Sequence, residues 1–180
     1  MVGTMMDEAY LDTTLIGVRS SVFANEWLGF EVQMSQTNVK DSDDRRALNN
    51  IRFPVPPESG DAVPEGTTVQ TFVSTDQEVN AIHFMTNFNV IAAPFYGKLN
   101  LLNKWIVYTD LYVTGGVSRV DTDKGDKSSF TLGGGERFYI GKSWSVRIDF
   151  KDRIFKETRA GKETTKHSKS IDFGASYFFN

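Results

Sequence analysis

The chain has 180 residues, enough for one domain, with 39% hydrophobic, 24% charged and 13% aromatic residues and a net charge of −3. The lack of a basic excess argues against nucleic-acid binding, and the lack of cysteine excludes disulfides and thiol chemistry. No run approaches the ~20 apolar residues of a transmembrane helix, and residues 1–9 lack the basic start and apolar core of a signal peptide.

Seven segments alternate apolar and polar residues with a period of two, which predicts β-strands. In chain order they are residues 11–24, 26–37, 77–94, 105–120, 128–140, 144–156 and 169–180. Most are far longer than the ~5–6 residues of an ordinary globular strand. Short turns alternate with longer polar connections at residues 38–75, 121–127 and 157–167. Long strands with this asymmetry indicate an all-β, transmembrane, antiparallel up-and-down barrel.

The connection at residues 38–75 is the longest and contains four of the five prolines. Its weak periodicity predicts a loop, with a possible small hairpin around residues 51–55 and 69–73. A loop of this length is unusual inside a compact soluble domain but ordinary on the extracellular side of a bacterial barrel. We therefore expect a single barrel domain over residues 1–180, with an extracellular loop at about residues 38–75.

One parity of the strands carries charges in mid-strand, which predicts a polar network in the lumen of the barrel. An eight-stranded barrel is just wide enough for side chains to fill it, so we expect no open diffusion pore. The alternative is a soluble, lipocalin-like barrel whose apolar parity faces inward to hold a small apolar ligand. The predicted lumen residues are Arg19, Glu31, Asp110, Arg137, Arg147, Asp149, Lys151 and Asp172.

Aromatic residues cluster near the short turns, which predicts an aromatic girdle at the periplasmic rim. The final strand alternates apolar and polar residues and fits the polar-x-Gly-x-x-apolar-x-apolar pattern of outer-membrane barrels, whose assembly machinery reads the last strand. The predicted girdle is Trp27, Trp105, Trp144 and Tyr139, and the predicted C-terminal insertion signal is Asp172, Gly174, Tyr177 and Phe179.

Several short motifs together resemble the small outer-membrane β-barrel domain proteins of myxobacteria and related bacteria. The resemblance covers roughly residue 10 to the end and implies an OmpA-sized, eight-stranded barrel in the bacterial outer membrane. It implies no established activity, although some relatives resemble parts of envelope or surface-motility assemblies. One departure is Glu136, which falls on the outward parity and is expected near the periplasmic rim or at a bulge. The motifs lie at residues 93–102, 110–112, 133–137, 147–149 and 174–179.

The number of recognisable strands is odd, whereas single-chain bacterial barrels have an even number. Residues 1–10 are too short and too weakly alternating to predict a strand. We therefore expect eight strands with seven visible in the sequence. The first strand would either lie upstream of residue 1 or come from a partner chain.

The sequence contains no convincing catalytic or metal-binding constellation. His83 falls on the lumen parity, away from the lipid-facing surface where a lipid hydrolase would need it. The aspartates at residues 41–44 and 121–126 fit solvated charge better than a calcium site. The expected cofactor, metal and catalytic residues are therefore none.

We expect a non-enzymatic outer-membrane barrel that acts as a structural or docking component of an envelope complex. The alternative within this class is a surface-binding, adhesin-like barrel that uses residues 38–75. The expected partners are outer-membrane lipid and lipopolysaccharide, the barrel assembly machinery and a protein of an envelope complex, without nucleic acid.

Overall fold

The computed structural model describes residues 1–6, 10–49, 52–54, 72–74, 81–101, 104–159 and 162–179. In this part of the chain, no helix is long and apolar enough to cross a bilayer. The elements are β1 (Val2–Met5), β2 (Leu11–Phe23), β3 (Leu28–Asp41), α1 (Asp43–Asn49), β4 (Arg52–Pro54), β5 (Phe72–Ser74), β6 (Ile82–Leu101), β7 (Trp105–Thr122), β8 (Gly125–Ile140), β9 (Trp144–Arg159) and β10 (Lys162–Tyr177).

Eight strands close into one antiparallel barrel, in the spatial order β1-β10-β9-β8-β7-β6-β3-β2. Neighbours along the chain are neighbours in the ring, except that β6 follows β3 because β4 and β5 form a separate hairpin. The fold class predicted from the period-two pattern is confirmed. The ring has the even number of strands that bacterial barrels have.

The closing strand β1 was not predicted from the sequence. Val2 pairs with Phe173 on β10 and with Ile16 on β2, so β1 joins the two ends of the sheet. The structure therefore places the eighth strand within residues 1–10, and the expectation of a strand upstream or from a partner chain is corrected. Four residues are too few for a period of two to stand out in a sequence.

The barrel has two rims with different connections. The β2–β3, β6–β7 and β8–β9 connections lie at one rim together with residue 178 after β10, and we call it the terminal rim. The other four connections lie at the opposite end, which we call the loop rim. At the terminal rim the Asn25 side-chain oxygen accepts the backbone N–H groups of Trp27 (3.1 Å) and Leu28 (2.7 Å), which tightens the β2–β3 turn.

Between β1 and the terminal rim, the seam of the barrel holds a cavity. Residues 18–21 of β2 and 174–177 of β10 border it, Arg137 and Arg147 line its lumen side, and its volume is about 380 Å³. At its upper end the Gly17 N–H donates to the Met1 carbonyl (3.0 Å), and the Met1 ammonium donates to the Gly17 carbonyl (2.7 Å). β1 is therefore paired with β2 and β10 along the seam.

Two of the predicted polar loops are strands in the structure. β7 and β8 continue to Thr122 and Gly125, and β9 and β10 continue to Arg159 and Lys162. The predicted loops at residues 121–127 and 157–167 are therefore wrong in extent. Charged residues in and beside these segments pair across the strands, as Lys156 does with Glu163 at 3.3 Å, and this pairing suits a solvated hairpin.

The long connection between β3 and β6 carries secondary structure of its own. The short helix α1 begins after Ser42, whose hydroxyl accepts the Arg45 N–H at 3.3 Å, and Asp43 and Asp44 occupy its first turn. β4 pairs with β5 in a hairpin, close to the predicted position. The rest of the predicted extracellular loop lies outside the described residues.

Strand β6 contains two register shifts, one between Ile82 and Phe84 and one between Ala92 and Phe95. The first shift places the Ile82 side chain inside the barrel, 1% exposed, and turns His83 to the outer surface. The prediction that His83 faces the lumen is therefore wrong. A bulge adds one residue to a strand, so it reverses the parity that the sequence pattern assigns beyond it.

Two adjacent glycines on β7 differ in the space available for a side chain. A Cβ at Gly116 would collide with the backbone of β6 and lie 2.7 Å from the Asn89 Cα. A Cβ at Gly115, on the outer face, would lie 3.6 Å from its nearest neighbour, a methyl group of Leu132. The close approach of β7 to β6 therefore depends on Gly116.

We predict that Gly116→Ala lowers the free energy of unfolding by about 1–3 kcal/mol because the strands must separate to admit the methyl group. The matched variant Gly115→Ala should change it by less than about 1 kcal/mol. Urea unfolding in lipid vesicles, followed by tryptophan fluorescence, measures both. Equal losses in the two variants would contradict the close approach.

Candidate functional site

The outer surface of the barrel is apolar and its interior is polar. Buried polar and charged side chains outnumber buried apolar ones, and most exposed large apolar residues lie on the outward parity of the strands. The soluble lipocalin-like alternative, which needs the apolar parity inside, is therefore wrong. The exposed outward residues include Ile16, Val18, Phe30, Met34, Phe88, Val113, Val117, Phe130, Leu132, Ile148, Phe150 and Phe173.

Three of the four predicted girdle residues project from the terminal rim. Trp27, Trp105 and Trp144 have exposed fractions of 53%, 71% and 55%. Tyr139 is different, because its hydroxyl donates to Asp110 Oδ2 inside the barrel at 2.6 Å. Tyr139 is therefore a lumen residue, and its inclusion in the outward girdle is corrected.

Arg147 on β9 is the centre of the buried charge network. Its guanidinium donates to Glu31 Oε2 at 2.8 Å and to Asp149 Oδ1 at 2.6 Å. Its Nε donates to the hydroxyl of Tyr112 at 2.8 Å, and Tyr112 in turn donates to Asp149. One arginine thus connects β3, β7 and β9 across the lumen.

Two more cations extend the network to the neighbouring strands. Arg19 on β2 donates to Asp149 Oδ2 at 2.7 Å, and its guanidinium lies 3.9 Å from Asp172 on β10. The Lys151 ammonium lies 3.2 Å from Glu31 Oε1. The structure therefore brings six of the eight predicted lumen residues into one cluster. All but Arg19 are nearly or fully inaccessible to solvent, and the Arg19 side chain is 7% exposed.

The other two predicted lumen residues form a pair closer to the terminal rim. The Arg137 guanidinium lies 3.7 Å from Asp110 Oδ2, and both side chains are buried. Arg137 also lies over the rings of Phe23 and Tyr112, at 5.1 Å and 5.4 Å from their centroids. Tyr112 therefore links this pair to the cluster around Arg147.

Sequence reasoning did not single out Tyr112, Gln33 or Arg153 as members of the network. Gln33 accepts a hydrogen bond from Lys151, and Arg153 Nη1 donates to Ser170 Oγ at 3.0 Å. All three lie on the parity that carries the predicted charges, which was the available signal. Their partners depend on which strands face each other across the lumen, and a period of two does not reveal that.

Above the charge network, towards the loop rim, six apolar side chains form a buried cluster in the lumen, beside buried polar residues such as Thr13 and Ser129. None of this apolar cluster is more than 7% exposed, and it takes residues from β1, β2, β6, β7 and β9. Some of its members lie on the parity that otherwise carries polar residues, so the sequence pattern gave no sign of it. The members are Met5, Leu15, Ile82, Met85, Val120 and Phe155.

The residues of the predicted insertion signal lie in and just after the second half of β10, towards the terminal rim. Asp172 points into the lumen and is fully buried, whereas Tyr177 faces outward and meets the Trp144 ring edge-on at 5.2 Å. Phe179 lies beyond the end of β10, is 92% exposed and contacts the Tyr177 ring at 5.1 Å. Gly174 lies on β10 beside the seam cavity.

Comparison with known proteins decides the class of the barrel. Residues 5–179 match the family described as outer membrane protein beta-barrel domain. The chain belongs to the outer membrane protein beta-barrel domain family. No curated protein and no solved structure matched it.

The outer membrane protein beta-barrel domain lies in the bacterial outer membrane, as predicted, and the narrower likeness to myxobacterial proteins stays a prediction. We expect the loop rim, which carries the long β3–β6 connection, to face the cell exterior and the terminal rim to face the periplasm.

Two histidine–aspartate pairs lie on the outside of the domain near the loop rim. His83 Nε2 donates to Asp123 Oδ1 at 2.5 Å, and His167 Nδ1 lies 2.9 Å from Asp152 Oδ2. Within the described ranges, no group of three or more histidine, aspartate or glutamate residues is arranged to hold a metal ion.

The His83–Asp123 pair affects the titration of the aspartate. The hydrogen bond from His83 and a second one from the Ala81 N–H (3.0 Å) lower the pKa of Asp123 below its ordinary value. A carboxyl group with a lowered pKa in the folded state stabilises that state above its ordinary pKa. This contribution is lost as the pH falls through the lowered pKa.

We predict that the carboxyl carbon of Asp123, followed by NMR in micelles, titrates with a midpoint below the ordinary value of about 3.9. His83→Ala should move the midpoint back up because it removes the larger of the two effects. A midpoint that does not change in this variant would contradict the hydrogen bond.

We also predict that Arg147→Leu lowers the free energy of unfolding by about 3–5 kcal/mol because Glu31 and Asp149 lose their principal partner in a buried site. Lys156→Ala, which breaks an exposed pair, should cost less than about 1 kcal/mol. Urea unfolding in vesicles compares the two. Similar losses would contradict a buried, mutually dependent network.

Proposed function

We propose that this outer-membrane barrel is a non-enzymatic structural or docking component of an envelope complex. The observation that carries this proposal is the filled lumen. The charge network occupies the half of the barrel towards the terminal rim, and the apolar cluster lies with buried polar side chains in the half towards the loop rim. A barrel filled in this way is suited to be a scaffold.

The lumen argues against transport because it would cost free energy to open either the charge network, which is the lower layer, or the apolar cluster, which is the upper layer. Opening the lower layer would separate ion pairs at 2.6–2.8 Å that have little access to water. Opening the upper layer would expose Leu15, Met85 and Val120, each of which is 0% exposed. The work of the domain is therefore assigned to its outer surface and its rims.

The outer face and the rims of the barrel suggest its partners. The apolar outer face requires outer-membrane lipid, and the charged pairs above it lie where lipopolysaccharide head groups would be. The final strand, with Tyr177 and Phe179, is the element that the barrel assembly machinery would recognise. A protein partner in the envelope would bind the outer face or a rim.

A second candidate function is surface binding through residues 38–75. The specific observation in its favour is that the β3–β6 connection carries both α1 and the β4–β5 hairpin, which gives it a shape of its own at the loop rim. Loops presented on a rigid barrel are common binding surfaces.

We predict that the purified domain gives no stable, large conductance in planar lipid bilayers because the lumen is filled. Reconstituted protein is recorded in symmetric salt, with insertion verified by protease protection. Stable large channels would contradict the scaffold function.

Replacement of residues 55–71 by a short glycine–serine linker separates the two candidate functions. If the domain is a docking component, native gels of detergent-extracted outer membranes should show the same complex with and without this segment. If it is an adhesin-like barrel, the variant should lose surface binding. Loss of the complex in the variant would contradict docking through the barrel wall.

A further inference from the structure

The carboxylate of Glu136 lies on the outer surface of the barrel among apolar side chains. Glu136 on β8 points outward, opposite in direction to its neighbour Arg137, which is buried in the lumen. Its partners in the sheet are Leu111 on β7 and Ile148 on β9, which face outward with exposed fractions of 52% and 44%. The carboxylate is therefore surrounded by side chains that belong in lipid.

The position of Glu136 excludes the two simple explanations expected from the sequence. Pairing with both neighbours is regular here, so no bulge turns the side chain outward. Ile148 lies four residues beyond Trp144, the girdle residue on β9. Four residues of a strand tilted by about 40° rise roughly 10 Å, which places Glu136 well inside an apolar band about 25 Å tall.

The protein satisfies this carboxylate only in part. The Thr109 hydroxyl donates to Glu136 Oε1 at 2.8 Å, and Thr109 is 8% exposed. In the part of the chain that the structure describes, no ion pair is formed by Glu136. A carboxylate in lipid without a cation is costly, so a cationic partner from outside the barrel would be strongly favoured.

The surface beside Glu136 is open to close approach. Gly97 pairs with Thr109, and Gly134 lies two residues before Glu136 on the same face. Residues without side chains allow another segment to contact the backbone within a membrane. Lipid head-group amines lie at the membrane surface, so at this depth a protein side chain is the better match.

We propose that the surface formed by Gly97, Thr109, Leu111, Gly134 and Glu136, the Glu136 face, binds a transmembrane segment of a partner protein. This segment is a strand in the wall of the partner's own barrel, and its lipid-facing side carries one lysine or arginine that pairs with the Glu136 carboxylate. The proposal rests on the docking function and names the surface and the chemistry of the partner.

The test is photo-cross-linking in native outer membranes. A benzophenone amino acid replaces Leu111, next to Glu136, or Val18, an exposed apolar residue on β2 that serves as the matched control. The probe at position 111 should form a discrete protein adduct that Glu136→Gln reduces at least about tenfold. The glutamine keeps the size of the side chain and its acceptor for Thr109, so heat-modifiable gel mobility should not change.

Identification of the cross-linked peptide completes the test. It should contain a barrel strand with a basic residue on its lipid-facing side, and changing that residue to glutamate should restore the adduct in a Glu136→Lys barrel. An adduct that Glu136→Gln leaves unchanged, a peptide without a basic residue, or adducts with phospholipid alone would overturn the proposal.

The outcomes also separate this proposal from the docking function itself. Protein adducts at position 18 or in the loops, with none at position 111, would leave docking intact and exclude the Glu136 face. The absence of protein adducts at every outward position and loop would overturn both.

Discussion

The barrel depends on the way Arg147 holds together charged side chains that are almost inaccessible to solvent. Four strands contribute charges to this cluster and β7 adds Tyr112, and the charges neutralise one another at distances of 2.6–3.9 Å. Each charge would be costly alone, so the cluster is stable only when the strands stand in one register. The register that pairs Arg147 with Glu31 and Asp149 also turns every intervening residue of those strands to the lipid.

This requirement links features that are distant in the sequence. The inward positions opposite long charged side chains must be small, and Gly133 is an example, because a Cβ there would lie 2.9 Å from the Lys151 side chain. The outward positions are free to be apolar, and they supply the area that holds the domain in the membrane. Glu136 departs from this division, and for that reason it is the outward residue that most needs a functional explanation.

Much of the fold could be predicted from the sequence because a period of two is a property of each strand alone. The alternation distinguished the buried charged residues from the apolar face and indicated the class of barrel. It did not recognise β1, which has only four residues, and it placed His83 on the wrong side because a register shift is invisible in the alternation. Proximity to a turn suggested that Tyr139 belonged to the girdle, although its parity directs it to Asp110.

The arrangement of the lumen was harder to predict because it depends on contacts between strands far apart in the chain. Arg147 and Glu31 are 116 residues apart, and nothing local indicates that their side chains meet. The apolar cluster has the same origin, since Met5 and Phe155 become neighbours only when β1 closes the ring. Expectations about partners and activity rest on surfaces that a single sequence does not identify.

The most direct test of the filled lumen is the reactivity of a single cysteine at Ser118, a buried lumen residue hydrogen-bonded to Asn87 at 2.6 Å. The chain has no cysteine of its own, so Ser118→Cys reports on one site. A small charged methanethiosulfonate added from either side of the membrane should leave it unmodified for hours, whereas Asp126→Cys at the loop rim should react within minutes. Rapid modification of position 118 would show a lumen open to water and would contradict the scaffold function.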